Sequence, residues 1–308
     1  MMNREPVDIS VVIGQEERFI LPCLGSISKR TDIPFSVYVT CNWQSQKIVE
    51  DIQRQFPEVH MVINPQPKGF AENHNRIIKR TKGEYILILN DDSLILEDCL
   101  KKLVGYLDEH PQAAVVSPKL LNPDFSLQHS TFSFPTLFKI GVHFSGVKRF
   151  IPFNRYTYKL ASFFYKKAGT SYWEHDDIRE VDTLAGACVL IRRKAVEEVG
   201  LMDEVSLAYG EEAEWHFRMR KKGWKIVYYP PARVVHYGRQ SSRKMGAAAD
   251  LERVKAVLNF YKKHRTFPQY VLLKGIILAI FTLKRLMAVA TGHMERAECY
   301  KQIVKAAF

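Results

Sequence analysis

Two acidic clusters and one histidine carry the side chains in this chain best suited to holding a phosphate-bound cation or moving a proton: Asn90-Asp91-Asp92-Ser93, Glu211-Glu212-Ala213-Glu214-Trp215, and His236. Asp91 and Asp92 follow directly on the apolar run YILILN (Tyr85 to Asn90). Adjacent carboxylates at the end of a buried strand repel one another and are partly desolvated, and both effects oppose ionisation. A divalent ion removes that cost. A hard cation such as Mg²⁺ or Mn²⁺ takes carboxylate together with phosphate oxygens, so the pattern suits a diphosphate bridged to Asp92 through a metal. A helix N-cap formed by Asp92 or Ser93 on the stretch from Glu97 to Leu107 fits the same residue types equally well. In the second cluster, acids at a helix start complement the helix dipole, which accounts for part of the set but not for three glutamates beside Trp215. His236 closes the block WKIVYYPPARVVHYG with Arg239 just beyond; a lone histidine is more often structural than a ligand.

The elements that place these residues are read from periodicity. Ile9 to Ile13, Phe35 to Thr40, His60 to Asn64 and Tyr85 to Asn90 are short β-branched or apolar runs bounded by Pro, Gly and polar residues. FILPCLGSISKR, SQKIVEDIQRQF and GFAENHNRIIKRT lie between them with helical spacing. Strands alternating with helices predict an α/β fold with a mostly parallel sheet, whose ligands sit beyond the carboxyl ends of the strands. Further on, Ala185-Gly186-Ala187 is a small-residue turn that lets a ligand approach the backbone, followed by a strand from Cys188 to Arg192 and a helix ending at Gly200. WKIVYYPPARVVHYG reads as a strand, a Pro-Pro turn and a second strand.

With 308 residues and 46% hydrophobic content, the chain can bury a large core. Five scattered cysteines (Cys23, Cys41, Cys99, Cys188, Cys299) show no metal-site spacing and, being odd in number, fit a reducing cytoplasm rather than a disulfide framework. The start, MMNREPVDISVVI, has no charged-then-apolar leader, so export is not expected. The formal net charge of +12 calls for an anionic partner. Its Lys and Arg concentrate between about residues 139 and 170 and after residue 239, interleaved with large apolar side chains, which suits a membrane interface and gives no specific sign of nucleic acid.

Taken together, these blocks resemble the family-2 glycosyltransferases, in particular the bacterial rhamnosyltransferase-like branch, from about Ile9 to Ser242. The strongest stretches are PKGFAENHNRIIKRTKGEYILILNDDSLI, SPKLLNPDFSLQHSTFSFPTL and VDTLAGACVLIRRKAVEEVGLMDEVSLAYGEEAEWHFRMRKKGWKIVYYPPARVVHYGRQS. The resemblance implies an inverting enzyme of GT-A type: a mostly parallel mixed sheet flanked by helices over residues 1–245, with a C-terminal helical region over residues 246–308. The family's Asp-any-Asp motif falls on Asn90-Asp91-Asp92, making Asp92 a metal ligand with Asn90 in the place of the first acid. The family's Glu-Asp pair falls on Glu211-Glu212, making Glu212 the base that deprotonates the acceptor. His236, from the His-x-Gly-x-x-Ser pattern with Gly238 and Ser241, is similar in place to a metal or diphosphate ligand. Gly69, Phe70 and Asn75 fall near the nucleotide. Asn42, Asn90, Asp91, Gly186, Trp215 and Arg239 complete the expected donor site. Three departures stand out: Gly14-Gln15-Glu16 replaces the usual Thr-Tyr-Asn, Cys41 replaces the base-pairing acid, and Glu212 is one methylene longer than the usual Asp.

The implied reaction uses a divalent cation to transfer a sugar, rhamnose being the single best guess, from a deoxythymidine- or uridine-diphosphate donor to a polyprenyl-linked or polysaccharide acceptor. The departures also admit a transferase-like binding or scaffold protein of low activity. A sugar nucleotidyltransferase is less well served, because GQEERF stands where its Gly-rich basic loop belongs. Beyond the catalytic region, Leu251 to Phe260 reads as helix, and Tyr270 to Thr291 is an apolar run broken by Lys274, Lys284 and Arg285. Its charge-free stretch is about half of the roughly 20 residues that a span needs. The run therefore suits a helix lying on the inner face of the cytoplasmic membrane, or one packed internally or in a homodimer.

Overall fold

The structure, a computed structural model, describes residues 7–14, 16–42, 44–146, 175–205, 207–238 and 246–308. Strands β1 (Val7–Val12), β2 (Phe35–Cys41), β3 (His60–Ile63) and β4 (Tyr85–Asn90) pair in parallel in the order β3-β2-β1-β4. In chain order there follow β5 (Ser93–Ile95), β6 (Ala113–Leu121), β7 (Thr131–Phe132), β8 (Arg179–Glu180), β9 (Thr183–Leu184), β10 (Cys188–Arg192) and β11 (Lys225–His236). β10 runs antiparallel between β4 and β6, β11 lies parallel to β6, and β5 and β8 pair antiparallel with β11. Six strands of this nine-stranded sheet (β3, β2, β1, β4, β6 and β11) thus point the same way, as the β/α alternation predicts.

The sheet is buried on both faces, which is why its central strands read as near-continuous apolar runs. Helices α1 (Ile20–Arg30), α2 (Gln46–Gln55) and α4 (Cys99–Glu109) cover one face. In α1, Ile20, Cys23, Leu24 and Ile27 are buried, a period that puts one stripe inward. The other face is covered by α3 (Phe70–Arg80), α6 (Arg193–Val199) and α7 (Glu211–Lys221). Asp8, a carboxylate buried in β1, is satisfied by the Gly83 amide at 2.7 Å and Arg193 at 3.0 Å.

Two expectations change. Lys225–His236 is one strand rather than two, because a register shift between Tyr229 and Arg233 absorbs Pro230 and Pro231 as an irregularity. Ser93 opens β5 and α4 begins only at Cys99, so Asp92 caps no helix. The C-terminal region holds α8 (Ala247–His264), α9 (Phe267–Ala290) and a further helix, α10 (Met294–Ala307). These pack with α5 (Leu137–Ser145) into a third apolar cluster that includes Ile140, Phe144, Val254, Leu273, Ile277 and Phe281. α9 is buried along that side and exposes Leu272, Leu283, Leu286 and Met287 along another. Among the described residues, no helix is long and apolar enough to cross a membrane. The basic segment running on from α5 through Lys148, Arg149, Arg155, Lys159, Lys166 and Lys167 lies outside the described residues.

Candidate active site

A cavity of about 900 Å³ opens at the carboxyl ends of β1, β2 and β4. This is where ligands sit in such sheets, and its volume is near the upper end of the range of about 300–1,000 Å³ for small-molecule sites. Asp91 and Asp92 stand at its floor, just past β4, with different jobs. The Asp91 carboxylate turns back to accept the Gly14 amide at 2.8 Å, tying the loop after β1 to the loop after β4. Burial, with the neighbouring charge of Asp92 adding to it, pushes the Asp91 carboxyl up to about 7, against the lowering pull of that amide. Asp92 faces the end of β11 instead. It accepts the Gly238 amide at 3.0 Å, and its other oxygen lies 3.1 Å from His236 Nε2. Gly238 holds a positive φ of +59°, which suits a residue without Cβ and aims its N–H at Asp92.

The imidazole of His236 is fixed by Gln128. Gln128 donates its amide N–H groups to Asn122 Oδ1 and the His236 carbonyl, both at 3.0 Å, leaving Gln128 Oε1 to accept from His236 Nδ1 at 2.6 Å. A proton therefore sits on Nδ1, and the ring turns Nε2 towards Asp92, with Asn90 Nδ2 at 3.3 Å. Two lone-pair donors converging at 3.1 Å repel unless a proton or a cation stands between them. A carboxylate and an imidazole with a buttressed second nitrogen form a fitting half-set for Mn²⁺ or Mg²⁺, whose other positions go to diphosphate oxygens and water. Among the described residues, no group of three or more His, Cys, Asp or Glu side chains offers a complete metal cage.

The second acidic cluster lies across the cavity. Gly210, in the left-handed region at φ +99°, turns the chain into α7 and places Glu211 and Glu212 in the first turn, both lining the cavity. Glu212 Oε1 accepts the Gly186 amide at 3.1 Å. Burial raises the Glu212 carboxyl above the ordinary glutamate range, opposed by backbone hydrogen bonds. A Cβ on Gly186 would overlap Glu212 Oε1 and lie 2.9 Å from Phe70 Cζ, so a side chain there must displace the carboxylate. Glu214, the third acid of the cluster, is structural. It pairs with Arg218 at 2.9 Å and His264 at 2.8 Å, pinning α7 to the end of α8.

Residues 6–253 match the family model described as "Glycosyltransferase like family 2". The chain belongs to glycosyltransferase family 2. The enzyme is 27% identical over 240 residues to an N-acetylglucosaminyl-diphospho-decaprenol L-rhamnosyltransferase of Mycobacterium tuberculosis, covering 73% of each chain. It is 23% identical to the O-antigen biosynthesis protein RfbC of Myxococcus xanthus, over 76% of this chain and 18% of that one. Its fold is similar to GalNAc-T7, solved with UDP, GalNAc and Mn²⁺ (TM-score 0.55, 14% identity, 88% of this chain and 56% of that chain). It is equally similar to the mannosyltransferase PcManGT of Pyrobaculum calidifontis, solved with GDP-Man and Mn²⁺ (TM-score 0.55, 14% identity, 99% of this chain and 87% of that chain). The glycosyltransferase thus spans about three quarters of the mycobacterial relative and just over half of GalNAc-T7. Its fold is that of GT-A glycosyltransferases with added C-terminal helices.

Of the residues expected at the site, Asn42, Phe70, Asn90, Asp91, Asp92, Gly186, Glu211, Glu212 and His236 line one cavity. Three expected donor-site residues sit elsewhere. Trp215 is fully buried and donates its indole N–H to Gly200 O at 2.8 Å, because the inward face of α7 is its core stripe. Asn75 is used up in holding Met202 through both backbone groups, at 2.9 and 3.1 Å. Gly69 caps α3 and accepts the Asn73 amide at 3.1 Å, without lining the cavity. Arg239 and Ser241 lie outside the described residues. Asn42 reaches the cavity with its amide already committed: Oδ1 accepts from Asn64 at 2.8 Å and from the Lys68 amide at 3.2 Å, so it shapes the loop that carries Lys68. Cys41 beside it is buried, which pushes its thiol up to about 11 and leaves it uncharged where the family's acid would be charged.

Residue types alone did not single out Gln128, Lys139, His143, Arg253 or Val257. Gln128 lies in SPKLLNPDFSLQHSTFSFPTL, and that stretch was its signal. The other four line the cavity from α5 and α8, outside the sheet; Lys139 was read as part of the basic-apolar run suited to a membrane interface, and no local pattern marks His143, Arg253 or Val257.

Proposed function

We propose that the enzyme transfers a sugar, rhamnose by its relatives, from a nucleoside-diphosphate donor to a hydroxyl of a polyprenyl-linked or polysaccharide acceptor, in one inverting displacement. The observation that carries this reading is the placement of Glu212, held by the Gly186 amide at 3.1 Å, in the same cavity as the Asp92–His236 pair. Glu212 accepts the proton of the acceptor hydroxyl as that oxygen bonds to the anomeric carbon, and the nucleoside diphosphate departs from the opposite face with the electron pair. A raised carboxyl suits a general base, because it binds the proton more tightly than an ordinary glutamate does. Asp92 and His236 would hold Mg²⁺ or Mn²⁺, which supplies charge neutralisation at the leaving diphosphate.

Membrane association is part of the proposal. α9 exposes Leu272, Leu283 and Leu286, with Arg285 beside them, and the end of α8 adds Lys262 and Lys263. A surface of that kind favours the anionic inner face of the cytoplasmic membrane, where a polyprenyl-linked acceptor is confined. The test is a thermal-shift screen of nucleotide-sugars with Mn²⁺, in which a ligand at a hundred times its dissociation constant adds about 2.7 kcal/mol. Incubation of the best donor with an N-acetylglucosaminyl-diphosphoprenol follows, with NMR of the product's anomeric carbon. Transfer with inversion is expected; retention, or no donor stabilising the protein, contradicts the reading.

A further inference from the structure

The cavity has a second side that the donor does not account for. Beyond Glu211 and Glu212 its wall is built by α5 and α8, not by the sheet, and it is apolar there: Ile140, Phe144, Leu207, Val257 and Phe260 line it. Three basic side chains, Lys139, His143 and Arg253, stand in that wall, and among the described lining residues no carboxylate lies on that side other than the Glu211-Glu212 pair at its edge. Arg253 is presented in a defined way. Its guanidinium stacks over the Tyr209 ring at 4.4 Å and gives one of its donors to Asp250 at 3.2 Å. Lys139 is bonded to Ser133 Oγ, in the segment that leads into α5.

This wall is anchored to the catalytic turn. The buried carboxylate of Glu252 in α8 accepts the Leu207 amide at 2.8 Å, the Leu207 carbonyl accepts the Phe70 amide at 2.8 Å, and a Cβ on Gly210 would lie 2.9 Å from Ala256 Cβ. Arg253, on the same helix as Glu252 and Ala256, therefore sits at a fixed offset from Glu212.

Aliphatic and aromatic walls beside fixed cations recognise a molecule that joins an anionic group to a hydrocarbon chain. A polysaccharide, all hydroxyls, leaves Ile140 and Val257 with nothing to match, whereas an anionic group joined to a hydrocarbon chain matches both that wall and the guanidinium donors that Arg253 does not give to Asp250. Resting on the transferase reading above, we infer that this side is the acceptor's aglycone subsite: Arg253 and Lys139 take the diphosphate of a prenyl-diphosphate-linked sugar, and Ile140, Phe144, Val257 and Phe260 take its first isoprene units. The sugar that the diphosphate carries then lies at the junction of the two sides, over Glu212.

The test separates this subsite from the transfer reaction by measuring binding alone. The full chain is saturated with UDP and Mn²⁺ and titrated with farnesyl diphosphate, inorganic pyrophosphate or farnesol. Farnesyl diphosphate is expected to bind without displacing UDP, at least tenfold more tightly than either half-molecule. Arg253→Ala, a partly exposed position, and Lys139→Ala should each weaken it about tenfold, and Val257→Trp, which fills the apolar wall, should weaken farnesol and farnesyl diphosphate alike. Undiminished UDP affinity in each variant reports that the fold is intact. Competition between farnesyl diphosphate and UDP, equal affinity for farnesol, or unchanged affinity in both Arg253→Ala and Val257→Trp overturns the assignment. Binding as described by a protein that transfers no sugar to any prenyl-linked acceptor supports the subsite while contradicting the transferase reading.

Discussion

Gly186 and Glu212 are in direct contact: the Gly186 amide donates to Glu212 Oε1 at 3.1 Å, and the space a Cβ would need on Gly186 is already filled by that carboxylate and by Phe70. On the proposed mechanism, the small-residue turn before β10 seats the general base. Gly186→Ala is expected to push the carboxylate off its donor. A displacement of about 1 Å costs roughly a hundredfold in rate. The kcat of Gly186→Ala should fall by that order while its melting temperature drops only slightly; a kcat within threefold of the parent contradicts this role.

Cation binding should depend on the buttress as well as on the ligands. Asp92→Asn and His236→Ala are expected to abolish the Mn²⁺-dependent part of nucleoside-diphosphate affinity. Gln128→Ala, which frees the imidazole to turn, should weaken it by about 10–100-fold. Isothermal titration of UDP with Mn²⁺ and with excess chelator measures each, and equal UDP affinity with and without chelator contradicts the site.

The pH profile follows from Glu212. Its carboxyl lies above the ordinary range because burial disfavours the charged form. The base works ionised, so kcat/KM falls as pH drops through the raised value, and the acidic limb lies above the value of about 4.3 for a solvated glutamate. An acidic limb at or below about 4.3 would show that no raised base limits the rate.

Much of this was legible in the sequence. The strands of the first half could be placed because buried parallel strands are uninterrupted apolar runs, Asp92 could be located because it follows an apolar strand, and Glu212 because it opens a recognisable helix. Trp215 was not legible as core: an aromatic beside glutamates looks the same in sequence whether the helix turns it in or out, and only the packing of α7 on the sheet decides. Pro230-Pro231 suggested a turn because a bulge that tolerates two prolines depends on the neighbouring strand. The α5 and α8 wall was hidden for a related reason. Lys139 and Arg253 are far apart in the chain, and their shared cavity exists only once the C-terminal helices fold back.

That fold-back predicts a stability effect. Glu252 is buried and holds the Leu207 amide at 2.8 Å and Lys255 at 2.7 Å. Glu252→Ala removes the charged acceptor of the Leu207 amide and should cost about 1–3 kcal/mol in urea unfolding. It should also lower kcat, since Leu207 leads into the Glu211-Glu212 turn. A loss of stability without loss of kcat contradicts the coupling of α8 to the site.

On α9, replacing exposed Leu272, Leu283 and Leu286 together by Glu should leave circular dichroism unchanged and abolish co-sedimentation with anionic vesicles, which high salt should partly reverse in the parent. A parent that ignores anionic vesicles at low salt assigns that face to another contact.

The most direct test of the account is single-turnover sugar transfer by Glu212→Gln beside Glu211→Gln, with donor affinity measured in parallel. An amide keeps the shape of the carboxylate but cannot accept the hydroxyl proton. The account predicts that Glu212→Gln binds donor as the parent does and transfers at least a hundredfold more slowly; normal transfer by Glu212→Gln, with loss in Glu211→Gln, would contradict it.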